Sequence, residues 1–310
     1  MHDSVWFWVG FNAFILAALA LDLGLLGRAA HVIRLREAVT RSAIWFGLAM
    51  CFALGLYWFE GGESALTFLT GYLIEQSLSV DNIFVMVVIF SYFGVPAAHQ
   101  HRVLFWGIMG ALVMRGTFIV VGVWLLNHFH FIMYIFGGLL IVTGIRMAVK
   151  EEKPFEGEQN PIVRLTRRLV PLSAHYDGKK FFTIQNGRRV ATPLLLVLVL
   201  VEFTDLVFAI DSIPAIFAVT RDSFLVYTSN VFAILGLRSM YFMLSGVIDR
   251  FRFLRFGLAF ILTFVGAKML LAETVHIHTL VSLLVVVSGL VVSVALSLLI
   301  PPNEENEAEA

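Results

Sequence analysis

Long apolar stretches follow one another along the whole chain, separated by short polar segments. Nine of them contain 19 or more residues, and about 18 apolar residues are enough to cross a bilayer as a helix. The pattern therefore predicts an all-α polytopic membrane protein with about nine transmembrane helices. The predicted spans are Val5–Leu26, Arg41–Phe59, Leu66–Ser91, Val103–Asn127, Phe131–Val149, Pro193–Val219, Leu225–Ile248, Leu254–Ala272 and Leu280–Ile300.

The composition agrees with this interpretation. Hydrophobic residues make up 59% of the 310-residue chain and charged residues only 14%, with 29 Phe. A soluble globular domain is considerably less apolar and more charged. We therefore expect the lipid bilayer to be a partner of this protein and to contact most of its surface. The single cysteine, Cys51, excludes an intrachain disulfide framework and a thiolate metal cage.

Lysine and arginine are concentrated in the segments that follow the first, third, fifth and seventh predicted spans. The segment from Lys150 to Arg189 alone contains nine of them, whereas Arg221 is the one clear case in the alternate loops. Cytoplasmic loops carry an excess of Lys and Arg. The distribution predicts a multi-pass protein of the cell inner (plasma) membrane, with its N-terminus outside and its C-terminus in the cytoplasm.

A long polar connection, residues 150–192, divides the apolar part of the chain into two halves. Its charges and prolines exclude a span, and a pattern of short strands around Asn186 and Gly187 predicts a small hairpin with a two-residue turn. The basic run Arg164–Arg168 lacks interleaved aromatic residues. It therefore favours contact with anionic lipid headgroups over nucleic acid.

Two of the predicted spans carry acidic and polar side chains inside their apolar runs. One charge near the bilayer centre costs about 2.5–3.5 kcal/mol, so five uncompensated acids would cost about 15 kcal/mol. A bound cation, a proton or a buried basic residue must offset this cost. The candidate metal ligands are Glu75, Asp81 and Asn82 in the third span and Glu202, Asp205, Asp211 and Ser212 in the sixth.

Basic side chains in or near other spans are candidate partners for these carboxylates. They would make the acids structural ion pairs, or they would hold a carboxylate in position for a cation. Asp22, near the end of the first span, is either a partner of a nearby arginine or part of an entry site. The candidate charge partners are Arg115, Arg146, Arg238 and Lys268.

The two halves of the chain contain an internal repeat. Glu75 and Asp205 are 130 positions apart, as are Asp81 and Asp211, and Arg115 corresponds to a second arginine 123 positions later. Each unit has three spans, so the second enters the membrane from the opposite side, which is typical of secondary transporters. The predicted organisation is two N-terminal helices (1–65), the first repeat (66–149), the cytoplasmic loop (150–192), the inverted repeat (193–272), and a last helix with an acidic cytoplasmic tail (273–310).

The spacing of the acids also raises a geometric problem. Residues six apart on a regular helix differ by about 120° in direction, so Glu75 and Asp81 would not share one face. We therefore expect either that both acids flank a central cavity or that the acidic helices are locally broken, near Ser77 and Ser79 in the first repeat and at Pro214 in the second. Such helices would offer an all-oxygen shell suited to Mn²⁺, Mg²⁺ or Ca²⁺.

Three segments of the chain are long and distinctive: EQSLSVDNIFV at Glu75–Val85, TPLLLVLVLVEFTDLVFAIDSIPAIFAVT at Thr192–Thr220 and SNVFAILGLRSMYF at Ser229–Phe242. They resemble the TerC/Alx family of integral membrane proteins, which belongs to the LysE-like transporter superfamily. The resemblance implies an inner-membrane protein linked to Mn²⁺ efflux and to the tellurite (tellurium) resistance after which the family is named. It also implies that the metal-site carboxylates are Glu75, Asp81, Glu202, Asp205 and Asp211.

These observations together favour a divalent metal cation exporter, with Mn²⁺ as the expected ion and protons as the counter-ion in an antiporter. Two alternatives stay open: a membrane scaffold or insertion factor, and a tellurite-resistance component without transport of its own. The chain has no Gly-x-Gly-Asp protease motif and no Gly-rich phosphate loop. We therefore expect no enzymatic activity, no prosthetic cofactor and no nucleic-acid partner.

Overall fold

A computed structural model describes residues 5–24, 35–129, 131–149, 160–185, 187–245, 253–272, 274–275 and 277–299. Within these residues the chain is almost entirely helical, with one short β-hairpin in the connection between the halves. The elements are α1 (Val5–Gly24), α2 (Leu35–Glu60), α3 (Gly62–Tyr92), α4 (Ala97–His128), α5 (Ile132–Val149), α6 (Pro161–Leu169), β1 (Phe182–Gln185), β2 (Arg188–Ala191), α7 (Pro193–Phe217), α8 (Ser223–Leu244), α9 (Leu254–Leu270) and α10 (Thr279–Leu299).

Among the described residues, six helices are long and apolar enough to cross a membrane: α2, α3, α4, α5, α7 and α10. They establish an all-α membrane protein. Helix α8 has 22 residues and contains an arginine, and α9 has 17 residues. The prediction of nine spans therefore remains a prediction for α1, α8 and α9.

Helix α6 and the hairpin form the polar unit between the two halves, residues 160–192, here called the connection unit. It lies against the turn between α3 and α4, because the Tyr176 hydroxyl donates a hydrogen bond to the Phe93 carbonyl at 2.8 Å. The Arg102 guanidinium at the start of α4 lies 4.7 Å from the centre of the Phe181 ring. The end of the helix bundle that carries this unit is called the connection side, and the other end the far side.

The hairpin predicted from the sequence is confirmed. Strands β1 and β2 pair antiparallel, with Gln185 opposite Arg188, so two residues form the turn. Gly187 in this turn has φ of +73°, a left-handed conformation that glycine adopts without the steric cost paid by other residues.

The two acidic helices are continuous, contrary to the expectation of local breaks. Helix α3 runs unbroken for 31 residues, and the Ser77 hydroxyl donates to the Leu73 carbonyl one turn earlier, so it does not interrupt the helix. Pro214 falls in the last turn of α7, three residues before Phe217, where the helix is about to end. A missing donor there frees one carbonyl but does not divide the helix.

Helices α3, α4, α7 and α8 pack together around the centre of the protein, and α5 packs closely on α9. Glycine makes the second contact possible. A Cβ atom on Gly266 would lie only 2.7 Å from the Gly137 carbonyl oxygen, and one on Gly144 would lie 2.7 Å from the Ala259 carbonyl oxygen. The α5 and α9 backbones therefore touch at two levels.

Candidate cation site

Arg115 lies at the centre of a buried polar cluster inside the four-helix core. Its side chain is on α4, and the whole residue is only 2% exposed. One end of the guanidinium forms an ion pair with Glu75 of α3, and Nη2 donates to Asp205 Oδ1 of α7 at 3.1 Å. The arginine thus bridges the two acids that the sequence repeat relates.

Two further polar side chains complete this arrangement. Asn230 of α8, which the sequence interpretation did not select, donates from Nδ2 to Glu75 Oε1 at 2.8 Å and accepts from Arg115 Nη1 at 3.3 Å. The Ser212 hydroxyl oxygen lies 3.5 Å from the same nitrogen. The oxygen atoms around the guanidinium therefore come from α3, α7 and α8.

Two buried oxygens at the cluster, one on Asn82 and one on Asp205, receive no hydrogen bond from the described residues. Asn82 Nδ2 donates to Asp205 Oδ1 at 3.4 Å. Among the described residues, neither Asn82 Oδ1 nor Asp205 Oδ2 has a hydrogen-bond partner, although the two residues are 2% and 3% exposed. A buried acceptor left unsatisfied costs about 1–3 kcal/mol, so these two atoms favour the approach of a proton or a cation.

The net charge of the cluster also favours the binding of a cation. Glu75 and Asp205 contribute two negative charges when ionised, and Arg115 contributes one positive charge, so this group carries a net charge of −1. Buried charges are stable only when they are well compensated. A cation near the unsatisfied Asp205 oxygen would balance the charge of this group, in addition to Arg238, which lines the cavity beside Asp205.

A small cavity of about 10 Å³ adjoins Asp205, close to the minimum that holds one water molecule. Its wall includes Arg238 of α8 and Met86 of α3, which lie on the connection side of the cluster. The remaining lining residues are Leu104, Gly107, Ile108, Ala111, Val201 and Leu237.

The cluster lies halfway along its helices. Asp205 is twelve residues from each end of α7, which is about 18 Å at a rise of 1.5 Å per residue. Glu75 is thirteen residues from the start of α3 and seventeen from its end. If α3 and α7 cross the membrane, both carboxylates are near its midplane.

The other predicted acids lie elsewhere on the same helices. Glu202 is half-buried on α7, and its carboxylate lies directly against Gly110 of α4. Asp211, also half-buried, accepts a hydrogen bond from the Thr143 hydroxyl of α5 at 3.0 Å. Asp81 is half-buried on α3 and makes an interaction of its own. Within the described part of the chain, no three His, Cys, Asp or Glu side chains converge as a metal-binding group.

The remaining candidate basic residues are distributed along the bundle. Arg238 is 6% exposed and lines the cavity beside Asp205. Arg146 is exposed near the connection-side end of α5, and half-buried Lys268 is in the last turn of α9 on the far side. Asp22 belongs to α1, but its side chain is outside the described part of the structure.

This combination of apolar helices and a buried Glu–Arg–Asp cluster occurs in a chain whose residues 60–305 match the model of the integral membrane protein TerC family. The chain belongs to the TerC family. It is therefore a multi-pass integral membrane protein, and the family resemblance noted from the sequence is confirmed.

Curated relatives cover nearly the whole TerC chain. It is 52% identical over 292 residues to an uncharacterized membrane protein of Myxococcus xanthus, covering 94% of this chain and 92% of the relative. It is 48% identical over 295 residues to an Escherichia coli K12 protein provisionally named membrane-bound redox modulator Alx, covering 92% of each. A Rickettsia bellii membrane protein is 37% identical over 292 residues, covering 94% and 97%. No solved structure matches this chain significantly.

Proposed function

We propose that this TerC-family protein exports a divalent metal cation, Mn²⁺ in the first instance, in exchange for protons. The observation that carries the proposal is a pair of buried oxygens, Asn82 Oδ1 and Asp205 Oδ2, that have no hydrogen-bond partner in the described part of the chain and lie beside a cluster of net charge −1. Carboxylate and amide oxygens are hard ligands that suit Mn²⁺, Mg²⁺ and Ca²⁺. Both protons and metal cations bind to carboxylate oxygens, which is the requirement for exchange.

In this proposal Arg115 acts as an internal cation. It neutralises one of the two carboxylates while no metal is bound, and it must withdraw from Asp205 when the ion arrives. Its bond to Asp205, at 3.1 Å, involves only one carboxylate oxygen and leaves Oδ2 available. A metal ion would enter at Oδ2 and Asn82, and Arg115 would then remain paired with Glu75.

The proposed selectivity follows from the donor atoms at the cluster. They are oxygens from carboxylate, amide and hydroxyl groups, whereas Zn²⁺ and Cu⁺ prefer thiolate or imidazole ligands. Met86 is the soft donor at the adjacent cavity, and it is 4% exposed within an apolar cluster. We propose that it packs there without binding the ion. Cavity size and ligand number would decide between Mn²⁺, Mg²⁺ and Ca²⁺.

We further propose that α3–α5 and α7–α9 are inverted repeats within a bundle of nine spans. The close contacts between α5 and α9 support this arrangement. Gly137 meets Gly266, and Gly144 meets Ala259. The repeat offset of 122 positions makes Gly266 the counterpart of Gly144, and Ala259 the counterpart of Gly137, so the two contacts exchange under a two-fold rotation.

The proposed ion path runs from the connection side to the far side. We place the connection side in the cytoplasm, because it carries the excess of basic residues, and the outer side of an inner membrane at the far end. Asp81 and Glu202 lie in the connection-side halves of α3 and α7, and Asp211 lies in the far-side half of α7. An ion leaving the cytoplasm would pass Asp81 or Glu202, reach Asp205, and leave past Asp211.

The names of the Alx relatives suggest a second candidate function, redox modulation. Thiol–disulfide exchange within one chain needs two cysteines, and this chain has only Cys51. We therefore propose that any redox effect of this protein arises from the metal ion it moves, and that the scaffold and tellurite roles are secondary to transport.

Metal-resolved transport in reconstituted vesicles tests this function. Wild-type protein should move Mn²⁺ at a rate that changes when the external pH is varied at fixed metal gradient. Asp205→Asn and Glu75→Gln should each remove most of the flux, whereas Asp177→Asn, a matched change in the connection unit, should leave it intact. The proposal fails if the first two variants transport Mn²⁺ as well as the wild type does. A flux that ignores pH would instead indicate a passive channel.

A further inference from the structure

Helix α6 has an exposed surface that the cation site does not use. Asn160 caps its first turn by accepting a hydrogen bond from the Ile162 amide at 2.9 Å, and Pro161 occupies the first turn. The nine-residue helix ends at Leu169. Val163, which is 1% exposed, packs in the same apolar cluster as Leu194 and Val197 of α7. These contacts hold α6 beside the first turns of α7.

The side chains of α6 divide into three sectors around the helix axis. At about 100° per residue, the buried residues Val163 and Thr166 occupy one side. A basic sector of about 100° follows, formed by the exposed arginines in the run Arg164–Arg168. The third sector is apolar and exposed, because Leu165 and Leu169 are 52% and 72% exposed.

Separate apolar and basic sectors on one helix are the pattern of a helix that lies in the plane of a membrane surface. Its apolar side enters the boundary of the acyl chains, and its basic side contacts the headgroups. Residues 160–192 contain seven Lys or Arg and one Asp, a net charge of +6. Counting the two lysines and four glutamates of residues 150–159 still leaves +4, so the unit complements an anionic lipid layer.

We propose that α6 is an interfacial helix that docks the connection unit onto anionic lipid headgroups on the connection side of the membrane. Leu165 and Leu169 insert at the acyl boundary, and the arginine sector binds the phosphates. The position of α6 beside the start of α7 supplies the tether, because it keeps the helix at the level where the span enters the bilayer. This proposal is independent of cation transport.

The test uses full-length protein in which Cys51→Ser removes the native thiol and Leu169→Cys carries an environment-sensitive fluorophore. The protein is reconstituted into vesicles of phosphatidylcholine, with or without phosphatidylglycerol, that contain lipids brominated near the headgroup. We expect quenching that increases with phosphatidylglycerol and decreases with added salt.

Two double variants then separate the arginine sector from charge in general. Arg164→Gln with Arg168→Gln should lower the ratio of docked to undocked helix by about twenty- to thirtyfold at low salt. Lys179→Gln with Arg188→Gln removes the same charge from exposed positions elsewhere in the unit and should change it little.

Three outcomes would overturn the proposal. The first is a label on Leu169→Cys that is not quenched in any vesicle. A label that is shielded only after a soluble protein is added counts as this outcome. The second is equal quenching with and without phosphatidylglycerol, which would show that α6 does not bind anionic headgroups. The third is an equal loss in both double variants, which would leave α6 without a specific role.

Discussion

Removing the Arg115 side chain should destabilise this protein more than almost any other single substitution. Arg115 is buried together with Glu75 and Asp205, which are 0% and 3% exposed, and it supplies the charge that both carboxylates face. Breaking a buried ion pair by removing one partner costs about 3–5 kcal/mol, because the remaining charge is left uncompensated. We therefore expect Arg115→Gln to lower the free energy of unfolding by about 4 kcal/mol.

The assay is equilibrium unfolding in mixed detergent micelles, followed by helix content. Arg146→Gln is the matched control, because this arginine is exposed near the end of α5, and it should change stability by less than about 0.5 kcal/mol. The triple variant Arg115→Gln, Glu75→Gln and Asp205→Asn should recover most of the loss, since no buried charge then remains in this group.

Two results would refute this reasoning. If Arg115→Gln unfolds within about 1 kcal/mol of the wild type, the ion pairs do not compensate buried charges. If the triple variant is less stable than Arg115→Gln, the losses accumulate and the three residues do not act as a unit.

Three further predictions concern packing and the connection unit. Gly266→Ala should cost about 1–3 kcal/mol of unfolding free energy, because its Cβ would meet the α5 backbone at 2.7 Å, whereas Gly138→Ala, with open space around it, should cost little. Tyr176→Phe should cost about 1 kcal/mol through loss of one half-buried hydrogen bond, measured by the same unfolding assay. The Thr183 and Lys180 side chains lower the pKa of Asp177 by hydrogen bonding; an NMR titration should find it below the ordinary value, and Thr183→Val should raise it.

The pH dependence of the hairpin follows from the lowered pKa of Asp177. A carboxyl with a depressed folded pKa stabilises the folded form above its ordinary pKa near 4, and that contribution disappears as pH falls through the lowered value. Amide exchange of β1 should therefore report a hairpin that loosens in acid. An Asp177 pKa at its ordinary value, unaffected by Thr183→Val, would contradict this account.

The apolar pattern was sufficient to predict a helical membrane protein and the small hairpin, because both depend on local periodicity and turn residues. The residues that share one face of each acidic helix are determined by their spacing along the sequence. Glu75 and Asp81, six apart, point about 120° away from each other on a regular helix, whereas Glu75 and Asn82, seven apart, differ by about 20°. Asp205 and Ser212 have the same spacing of seven. Unbroken helices therefore bring these four residues toward Arg115.

Other features of the site required three-dimensional information. Asn230 follows Thr228 and Ser229 in a predicted span, and only the packing of α8 against α3 brings its amide to Glu75. Its place in the family segment Ser229–Phe242, eight positions before Arg238, was the available sequence signal. The separation of Asp211, which is bonded to Thr143 of α5, likewise depends on which helix lies beside α7, and apolar periodicity does not encode that choice.

Anomalous diffraction at the manganese edge, from crystals of the full-length protein grown with Mn²⁺, tests the central claim most directly. The account predicts one strong peak within bonding distance of Asp205 Oδ2 and Asn82 Oδ1, halfway along α7. The peak should disappear in Asp205→Asn crystals and persist in Asp177→Asn crystals. A peak confined to the ends of the helices, or no peak at the cluster in well-diffracting wild-type crystals grown at saturating Mn²⁺, would contradict the assignment of this cluster as the cation site.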